Sequence, residues 1–271
     1  MNGEKPEKKK KSLGWFIFLL LLLIFALSSG IVIKRYYPRC EAEWKYKSMQ
    51  KEVDEKRKEN KKDQSKDSVS DDSVRANVDF KALKAQYPDV IGWLNVPGTE
   101  IDYPILMSSK DKDTDYYLRR TIDEKESLPG CIYVEKEQNR DFSDFNTIIY
   151  GHNMRNGTMF GTLKRFRDEQ FFEEHPEFTV ETEDRLMTYK IYVSVRMDDR
   201  HLLKSYDQST ESGKEQYLKD IGSGSDSYFH HSDLKPTEND HLITLSTCIG
   251  QDPSHRFLLV GVLKKTQTIQ Q

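Results

Sequence analysis

Three residues far apart in the chain have side chains suited to acyl-transfer chemistry. Cys248 follows the apolar run His241–Thr247, and Arg256 begins the next apolar run after a loop of seven residues. If the two runs pair as antiparallel neighbours, the thiol and the guanidinium lie close together at the rim of a sheet. A fixed positive charge favours the thiolate, which is the nucleophilic form of cysteine. A guanidinium can also donate two hydrogen bonds to the oxyanion that forms on an attacked carbonyl.

His152 is the third candidate. The apolar run Thr147–Tyr150 leads into Gly151, and the imidazole follows at the exit of the predicted strand, where scaffolds commonly hold functional groups. The pattern therefore predicts a thiol nucleophile, Cys248, with an imidazole acid and base. The non-catalytic alternative is that Cys248 is a buried structural cysteine and Arg256 a surface arginine. Other histidines are expected in loops or beside strands without a motif, with His255 as an alternative to Arg256: His175, His201, His230, His231, His241 and His255.

Short β-like runs separated by turn residues begin at about Val78 and must position these side chains. Seven or eight such runs with few helices between them predict a mostly antiparallel barrel or sandwich rather than a doubly wound sheet. The predicted strands are Val90–Val96, Ile101–Leu106, Gly130–Val134, Thr147–Tyr150, Phe178–Glu181, Met187–Val195, His241–Thr247 and Phe257–Val262, and the predicted helices are Phe80–Gln86, Leu163–Phe172 and Glu211–Ile221.

An uncharged stretch, residues 13–33, precedes this region and is long enough to cross a bilayer as a helix. A cleaved signal peptide is the alternative, but its apolar region is usually only about 7 to 15 residues long. Lysines and arginines flank the stretch on both sides, so the charge distribution favours a cytoplasmic N-terminus only weakly. The sequence therefore predicts an uncleaved membrane anchor.

Charge and composition exclude several classes of protein. Residues 1–76 carry 18 Lys and Arg against 12 Asp and Glu, so the rest of the chain has a net charge of −9, and a nucleic-acid binder needs the opposite balance. Residues 41–76, with ten basic and ten acidic side chains, are expected to form a spacer that is helical near Trp44–Lys58 and loose around residues 65–73. Three scattered cysteines and the lack of paired metal-ligand motifs predict no metal site and no cofactor.

Three blocks in one order resemble the sortases, the membrane-anchored cysteine transpeptidases of Gram-positive bacteria. The similarity extends over about residues 78–265, and its upstream block and the helical insertion near residues 211–221 are similar to class B members. The blocks are Pro88–Leu94 continuing to Tyr116–Leu118, Tyr150–Met154, and Thr244–Cys248 with Arg256.

The resemblance implies a mostly β fold with peripheral helices, a sortase-type eight-stranded β-barrel preceded by an N-terminal transmembrane helix. Cys248 would end the seventh strand, Arg256 would lie on the eighth and His152 would follow the fourth. The implied regions are a cytoplasmic basic tail (1–12), the anchor (13–33), a charged extracytoplasmic linker (34–77), the catalytic domain (78–265) and a C-terminal tail (266–271). The catalytic domain would then face outwards from the cell membrane.

The resemblance also implies the reaction and its partners. Cys248 would attack the Thr carbonyl of a C-terminal sorting signal on a secreted protein, and a peptidoglycan amine would resolve the thioacyl enzyme. His152 would transfer protons, and Arg256 would hold substrate and oxyanion. Tyr206, Ser246 and Thr247 would contact the substrate.

Two departures and two alternatives accompany this interpretation. Ile249 stands where some class B relatives carry an acidic residue, and Cys131 stands where a small residue such as Ser is expected. A secreted thiol peptidase that only hydrolyses would share the first half of the reaction. A non-catalytic, membrane-tethered binding module would retain the barrel without the chemistry.

Overall fold

The computed structural model describes residues 11–64, 73–109, 111–222, 227–250 and 252–270. Ten strands in these residues form one sheet: β1 (Ser73–Arg75), β2 (Val90–Asn95), β3 (Asp102–Met107), β4 (Ile132–Val134), β5 (Asn146–Tyr150), β6 (Glu177–Glu181), β7 (Arg185–Asp198), β8 (Ser227–His230), β9 (Leu242–Ile249) and β10 (Asp252–Gln270). The helices are α1 (Lys11–Gln64), α2 (Phe80–Gln86), α3 (Glu169–Glu174), α4 (Leu202–Ser205) and α5 (Glu211–Gly222), with 3-10 helices at Tyr116–Arg119 and Leu163–Arg167.

Eight of these strands close into a barrel. The hydrogen-bonded order is β10-β9-β5-β4-β3-β2-β6-β7, and pairing between β10 and β7 completes the ring. Most neighbours are antiparallel, but β3–β4 and β5–β9 are parallel. The eight-stranded barrel predicted from the sequence is therefore confirmed, with the short strands β1 and β8 added at the edges.

Both faces of β9 are covered, which explains its nearly continuous apolar sequence. Ile243 and Leu245 belong to the barrel interior. Leu242 belongs to a second cluster on the outer face, where Tyr217 and Ile221 of α5 pack. Tyr150 and Cys248, at the carboxyl ends of β5 and β9, are only partly buried, and the candidate site lies there.

Helix α1 packs its second half against the barrel. Ala42, Tyr46 and Val53 are buried in the contact, and the ring of Tyr46 meets that of Tyr103 edge-on at 5.5 Å between centroids. Burying each large apolar side chain stabilises such a contact by about 1.5–3 kcal/mol. Arg57 adds a two-pronged ion pair to Asp102, with both N–O distances 2.8 Å. The residues that the sequence predicts as a spacer are thus helical as far as residue 64 and contact the barrel through side chains such as Tyr46 and Arg57, whereas residues 65–72 lie outside the described ranges.

The first half of α1 carries the predicted anchor. A stretch within Gly14–Lys62 is long and apolar enough to cross a membrane, and its large side chains from Trp15 to Phe25 are exposed. Residues 1–10 of the predicted cytoplasmic tail lie outside the described ranges.

The carboxyl end of the chain departs from the predicted tail. β10 continues to Gln270, and its last residues pair with both β7 and β1. Ile269 is buried in this arrangement, which explains why the strand does not stop at residue 265.

Candidate active site

Cys248, His152 and Arg256 line one cleft of about 280 Å³. Its walls come from the ends of β4, β5, β9 and β10 and from the segment between β7 and α4. The full lining is Leu118, Tyr133, Glu135, Tyr150, Gly151, His152, Asp198, Asp199, Arg200, His201, Leu202, Ser246, Thr247, Cys248, Arg256 and Leu258. The three side chains that the sequence singles out for acyl transfer therefore meet in one place.

Cys248 and Arg256 are direct partners in the antiparallel ladder between β9 and β10. Residues opposite each other in such a ladder project to the same side of the sheet. Both side chains are half-buried, and Nη1 of Arg256 donates to the carbonyl oxygens of Pro253 at 2.9 Å and His255 at 3.1 Å. The register thus places the guanidinium on the same side of the sheet as the thiol, and two carbonyl oxygens hold it in position.

His255 takes no part in lining the cleft. Its Nδ1 lies 2.8 Å from a carboxylate oxygen of Asp252, and Arg196 donates to the same oxygen at 3.2 Å. This network braces the β9–β10 turn below Arg256. Of the two candidates for the position beside Cys248, the structure places Arg256 there, whereas His255 contacts Asp252 within the β9–β10 turn.

His152 follows β5 through Gly151, where a Cβ would lie only 2.6 Å from Ile132 Cδ1. Its Nε2 lies 2.9 Å from the carbonyl oxygen of Leu118. A carbonyl can only accept, so Nε2 carries the proton and the neutral ring keeps its lone pair on Nδ1. Burial, together with the charge of Arg119, lowers the pKa of His152 below its ordinary value. The imidazole is therefore neutral at pH 7 and can accept a proton.

Backbone contacts hold the imidazole and the thiol in register. Asn153 donates from Nδ2 to the carbonyl oxygen of Cys248 at 2.9 Å, and Thr247 Oγ1 donates to the carbonyl oxygen of Gly151 at 2.7 Å. The amide of Gly151 also bonds to the carbonyl oxygen of Ser246 at 3.2 Å. Each contact joins the end of β5 to the end of β9. Asn153 was not singled out from the sequence, although it lies beside His152 in the same motif.

The three predicted substrate contacts occupy different positions. Ser246 and Thr247 line the cleft but are largely buried, and the Thr247 hydroxyl is already bonded. Tyr206 is 3% exposed and is not among the lining residues. Its hydroxyl donates to Asp220 at 2.7 Å, and its ring packs edge-on against Tyr217. The structure thus brings Ser246 and Thr247 to the cleft and leaves Tyr206 beneath its wall.

The other two cysteines lie away from the cleft. Cys40 is exposed on α1, and Cys131 is buried with its sulfur 3.1 Å from the Tyr46 hydroxyl. Burial raises the pKa of the Cys131 thiol to about 12. Cys131 is therefore an inert packing group, and all three thiols are free.

Comparison with known proteins decides the family. A family model described as "Sortase domain" matches residues 94–264, which is more than half of the chain. The chain belongs to the sortase family. Sortase B of Listeria monocytogenes is 34% identical over 174 residues, which are 63% of this chain and 67% of the relative. The assignment of this chain to the class B sortases rests on its similarity to relatives described as sortase B.

Solved structures agree with this assignment. The crystal structure of sortase B from Clostridium perfringens superimposes with a TM-score of 0.62 at 32% identity, over 69% of this sortase and all of that chain. A Staphylococcus aureus sortase B–substrate complex superimposes with a TM-score of 0.68 over 84% of this chain and 99% of that one, and its 20% identity supports the fold alone. Sortases are cysteine transpeptidases that act on sorting-signal substrates in cell-wall anchoring, and this sortase has that type of activity by family.

Replacing Arg256 with lysine tests whether the guanidinium does more than supply charge. Lysine keeps the positive charge but lacks the planar pair of donors. Because loss of one oxyanion donor typically lowers kcat by about 10²- to 10³-fold, we expect a fall of that order in kcat/KM for peptide cleavage by Arg256→Lys. Arg140→Lys, at an exposed arginine outside the cleft lining, is the matched control and should stay near wild type. Full activity in Arg256→Lys would contradict the role of the guanidinium as a donor to the oxyanion.

Proposed function

We propose that this class B sortase cleaves the C-terminal sorting signal of secreted proteins after a threonine and transfers the cargo to an amine of peptidoglycan. The observation that carries the proposal is the convergence of Cys248, His152 and Arg256 on one cleft. A nucleophile, a proton carrier and a fixed cation are what acyl transfer through a covalent intermediate needs.

The reaction runs in two halves. Cys248 passes its thiol proton to His152, and its Sγ attacks the threonine carbonyl carbon while Arg256 stabilises the oxyanion of the tetrahedral intermediate. His152 protonates the departing amine, so that the C–N bond breaks and a thioester remains on the enzyme. An incoming amine then attacks the thioester and loses a proton to His152, which forms the new amide and releases the Cys248 thiolate; the thiolate takes the proton back from His152. Each half thus uses only side chains of this chain and the two substrates.

The substrate lies against the carboxyl ends of β5 and β9. Ser246 and Thr247 contact it from β9, and this fits their place in the wall of the cleft. Tyr206, the residue after α4, supports the wall of the cleft by packing against Tyr217, because its hydroxyl is engaged by Asp220.

In the proposed topology, the N-terminus lies in the cytoplasm, residues 13–33 cross the cell membrane and the catalytic domain lies outside. The apolar half of α1 supports this topology, because a helix with that many exposed apolar side chains needs a lipid environment. Membrane-retained cargo and a lipid-linked peptidoglycan precursor would meet the enzyme at the same surface.

Product analysis tests the transfer. Purified full-length enzyme in detergent micelles receives a threonine-containing sorting peptide, with and without a short peptide that carries the free amine of a peptidoglycan cross-bridge. We expect mass spectrometry to find the ligated peptide as the main product when the amine is present. A hydrolysed peptide as the sole product at saturating amine would contradict transpeptidation and identify a hydrolytic thiol peptidase.

A further inference from the structure

The carbonyl group that orients the imidazole of His152 is itself held by the segment that leads into β4. Nε2 of His152 donates to the carbonyl oxygen of Leu118. Gly130 packs directly against that oxygen: its φ is +58°, and a Cβ at this position would overlap the Leu118 carbonyl. The amide of Cys131, the next residue, donates to the carbonyl oxygen of Tyr117 at 3.0 Å. The position of the Leu118 oxygen therefore depends on where residues 130 and 131 lie.

The strand register brings Cys131 and His152 to the same end of two neighbouring strands. Tyr133 of β4 pairs with Tyr150 of β5 in an antiparallel ladder. Two residues before Tyr133 is Cys131, and two residues after Tyr150 is His152, so the same register directs both towards each other. Whatever holds Cys131 in place thus acts next to the imidazole.

Tyr46 of helix α1 covers Cys131. Its hydroxyl lies 3.1 Å from the Cys131 sulfur, and the thiol donates to the carbonyl oxygen of Arg120 at 3.1 Å. Because a thiol has a single proton, the tyrosine hydroxyl is the donor to the sulfur. Both side chains are buried, with Tyr46 4% exposed and Cys131 1% exposed. Contacts therefore run without interruption from α1, through the thiol, to the segment that carries Leu118.

A second series of contacts leads from the same tyrosine to the loop after His152. The ring of Tyr46 meets that of Tyr103 edge-on, and the Tyr103 hydroxyl accepts a hydrogen bond from the amide of Met159 at 3.3 Å. Met159 in turn forms a β-bridge with Asn153, the residue after His152. Tyr46 thus supports both the segment that bonds the imidazole and the loop that carries it.

Ion pairs on either side of Tyr46 join α1 to the loop before Gly130. Lys45 donates to Asp123 at 2.6 Å, and Lys125 lies 2.8 Å from a carboxylate oxygen of Glu41. Partly exposed ion pairs contribute about 1 kcal/mol or less, whereas burial of a large side chain contributes about 1.5–3 kcal/mol. The tyrosine is therefore the main contact at this end of the helix.

We propose that Tyr46 is a positioning residue for the catalytic imidazole, and that it holds His152 in the orientation for proton transfer through Cys131 and through Tyr103. The proposal rests on the proposed function, because it requires that His152 carries the protons. It adds that the helix continuous with the predicted anchor belongs to the frame of the active site.

The experiment separates positioning from stability. Full-length enzyme in detergent micelles receives a threonine peptide and hydroxylamine, and kcat and KM are measured from hydroxamate formation at a temperature where circular dichroism shows each variant to be folded. Tyr46→Leu removes the ring and the hydroxyl but leaves an apolar side chain, and Tyr46→Phe removes the hydroxyl alone. Val53→Ala is the matched control, because it removes buried apolar volume from the same helix about 10 Å further along its axis.

The expected result is a fall in kcat of about tenfold or more in Tyr46→Leu with KM little changed, because a misplaced proton carrier slows the chemistry without weakening peptide binding. Tyr46→Phe should show a smaller fall in kcat, and Val53→Ala should keep the wild-type kcat although its unfolding temperature falls. In a His152→Gln background, Tyr46→Leu should cause no further fall in kcat, since the side chain that it positions is absent.

An equal fall in kcat in Val53→Ala, or the same fall in the His152→Gln background as in wild type, would overturn the proposal and leave Tyr46 a structural group. If Tyr46→Leu does not fold, Tyr46→Phe decides, and an unchanged kcat in that variant overturns the proposal. A wild-type kcat in both Tyr46 variants contradicts this proposal alone, whereas full activity in His152→Gln contradicts the proposed function of the imidazole as well.

Discussion

Replacement of Cys248 by alanine removes all cleavage and all transfer. Without the sulfur no thioester can form, and loss of a covalent nucleophile typically lowers kcat by about 10⁴-fold or more. The measurement is the formation of a hydroxamate when the enzyme acts on a threonine peptide with hydroxylamine as the amine. Mass spectrometry is used in parallel to look for the thioacyl enzyme. A residual rate within tenfold of wild type would favour the non-catalytic binding module, for which this cysteine is dispensable.

Cys40→Ala supplies the control for this experiment. Cys40 is exposed and Cys131 is buried with a pKa raised to about 12, so in a Cys40→Ala background only Cys248 should react quickly with iodoacetamide. One alkylation event should then abolish activity. Rapid alkylation at Cys131 with loss of activity would contradict the assignment of the nucleophile.

Replacement of His152 by glutamine is expected to lower kcat/KM by about 10²- to 10⁴-fold, the usual contribution of a general acid and base. His241→Gln is the matched control, because that exposed ring contacts only the carbonyl oxygen of Asp144 among the hydrogen bonds of the described residues. Near-wild-type activity in His152→Gln would remove the imidazole from the mechanism.

The pH profile of the wild-type enzyme tests the same residue. Because burial lowers the pKa of His152, the ring is uncharged at pH 7 and becomes protonated only at pH values below its ordinary pKa. A reaction that needs a thiolate and a protonated imidazole together then proceeds through a minor form. Its rate should be bell-shaped, with apparent pKa values that belong to the pair. A flat kcat/KM between pH 5 and pH 10 would contradict this coupling.

The sequence was sufficient to predict the centre of the site. A strand that ends in Cys248, a loop of seven residues and a strand that begins at Arg256 permit a tight antiparallel return, and the register confirms that the two residues are opposite. The position of His152 depended on a contact distant in sequence, the parallel pairing of β5 with β9. Only the resemblance to a family with that topology made this contact predictable.

Other features lacked a signal that could be interpreted alone. Nothing in the residues around Glu135 indicates that its carboxylate is buried, since a glutamate after a strand is usually solvated. Tyr206 could be placed near the site but not oriented, because the direction of a side chain in a loop depends on packing partners such as Tyr217. For α1, the balance of charges suggested a solvated spacer and obscured the buried stripe at Ala42, Tyr46 and Val53.

In the proposed topology, that buried stripe would set the distance between the barrel and the membrane. In the proposed topology the docking contact begins nine residues beyond Ile33, which is about 14 Å along a helix. A short stretch of α1, which contains Pro38, would then join the membrane to the barrel and hold the barrel close to the lipid headgroups. In the proposed topology, enzyme, membrane-retained cargo and lipid-linked precursor would therefore meet by lateral diffusion along one membrane surface.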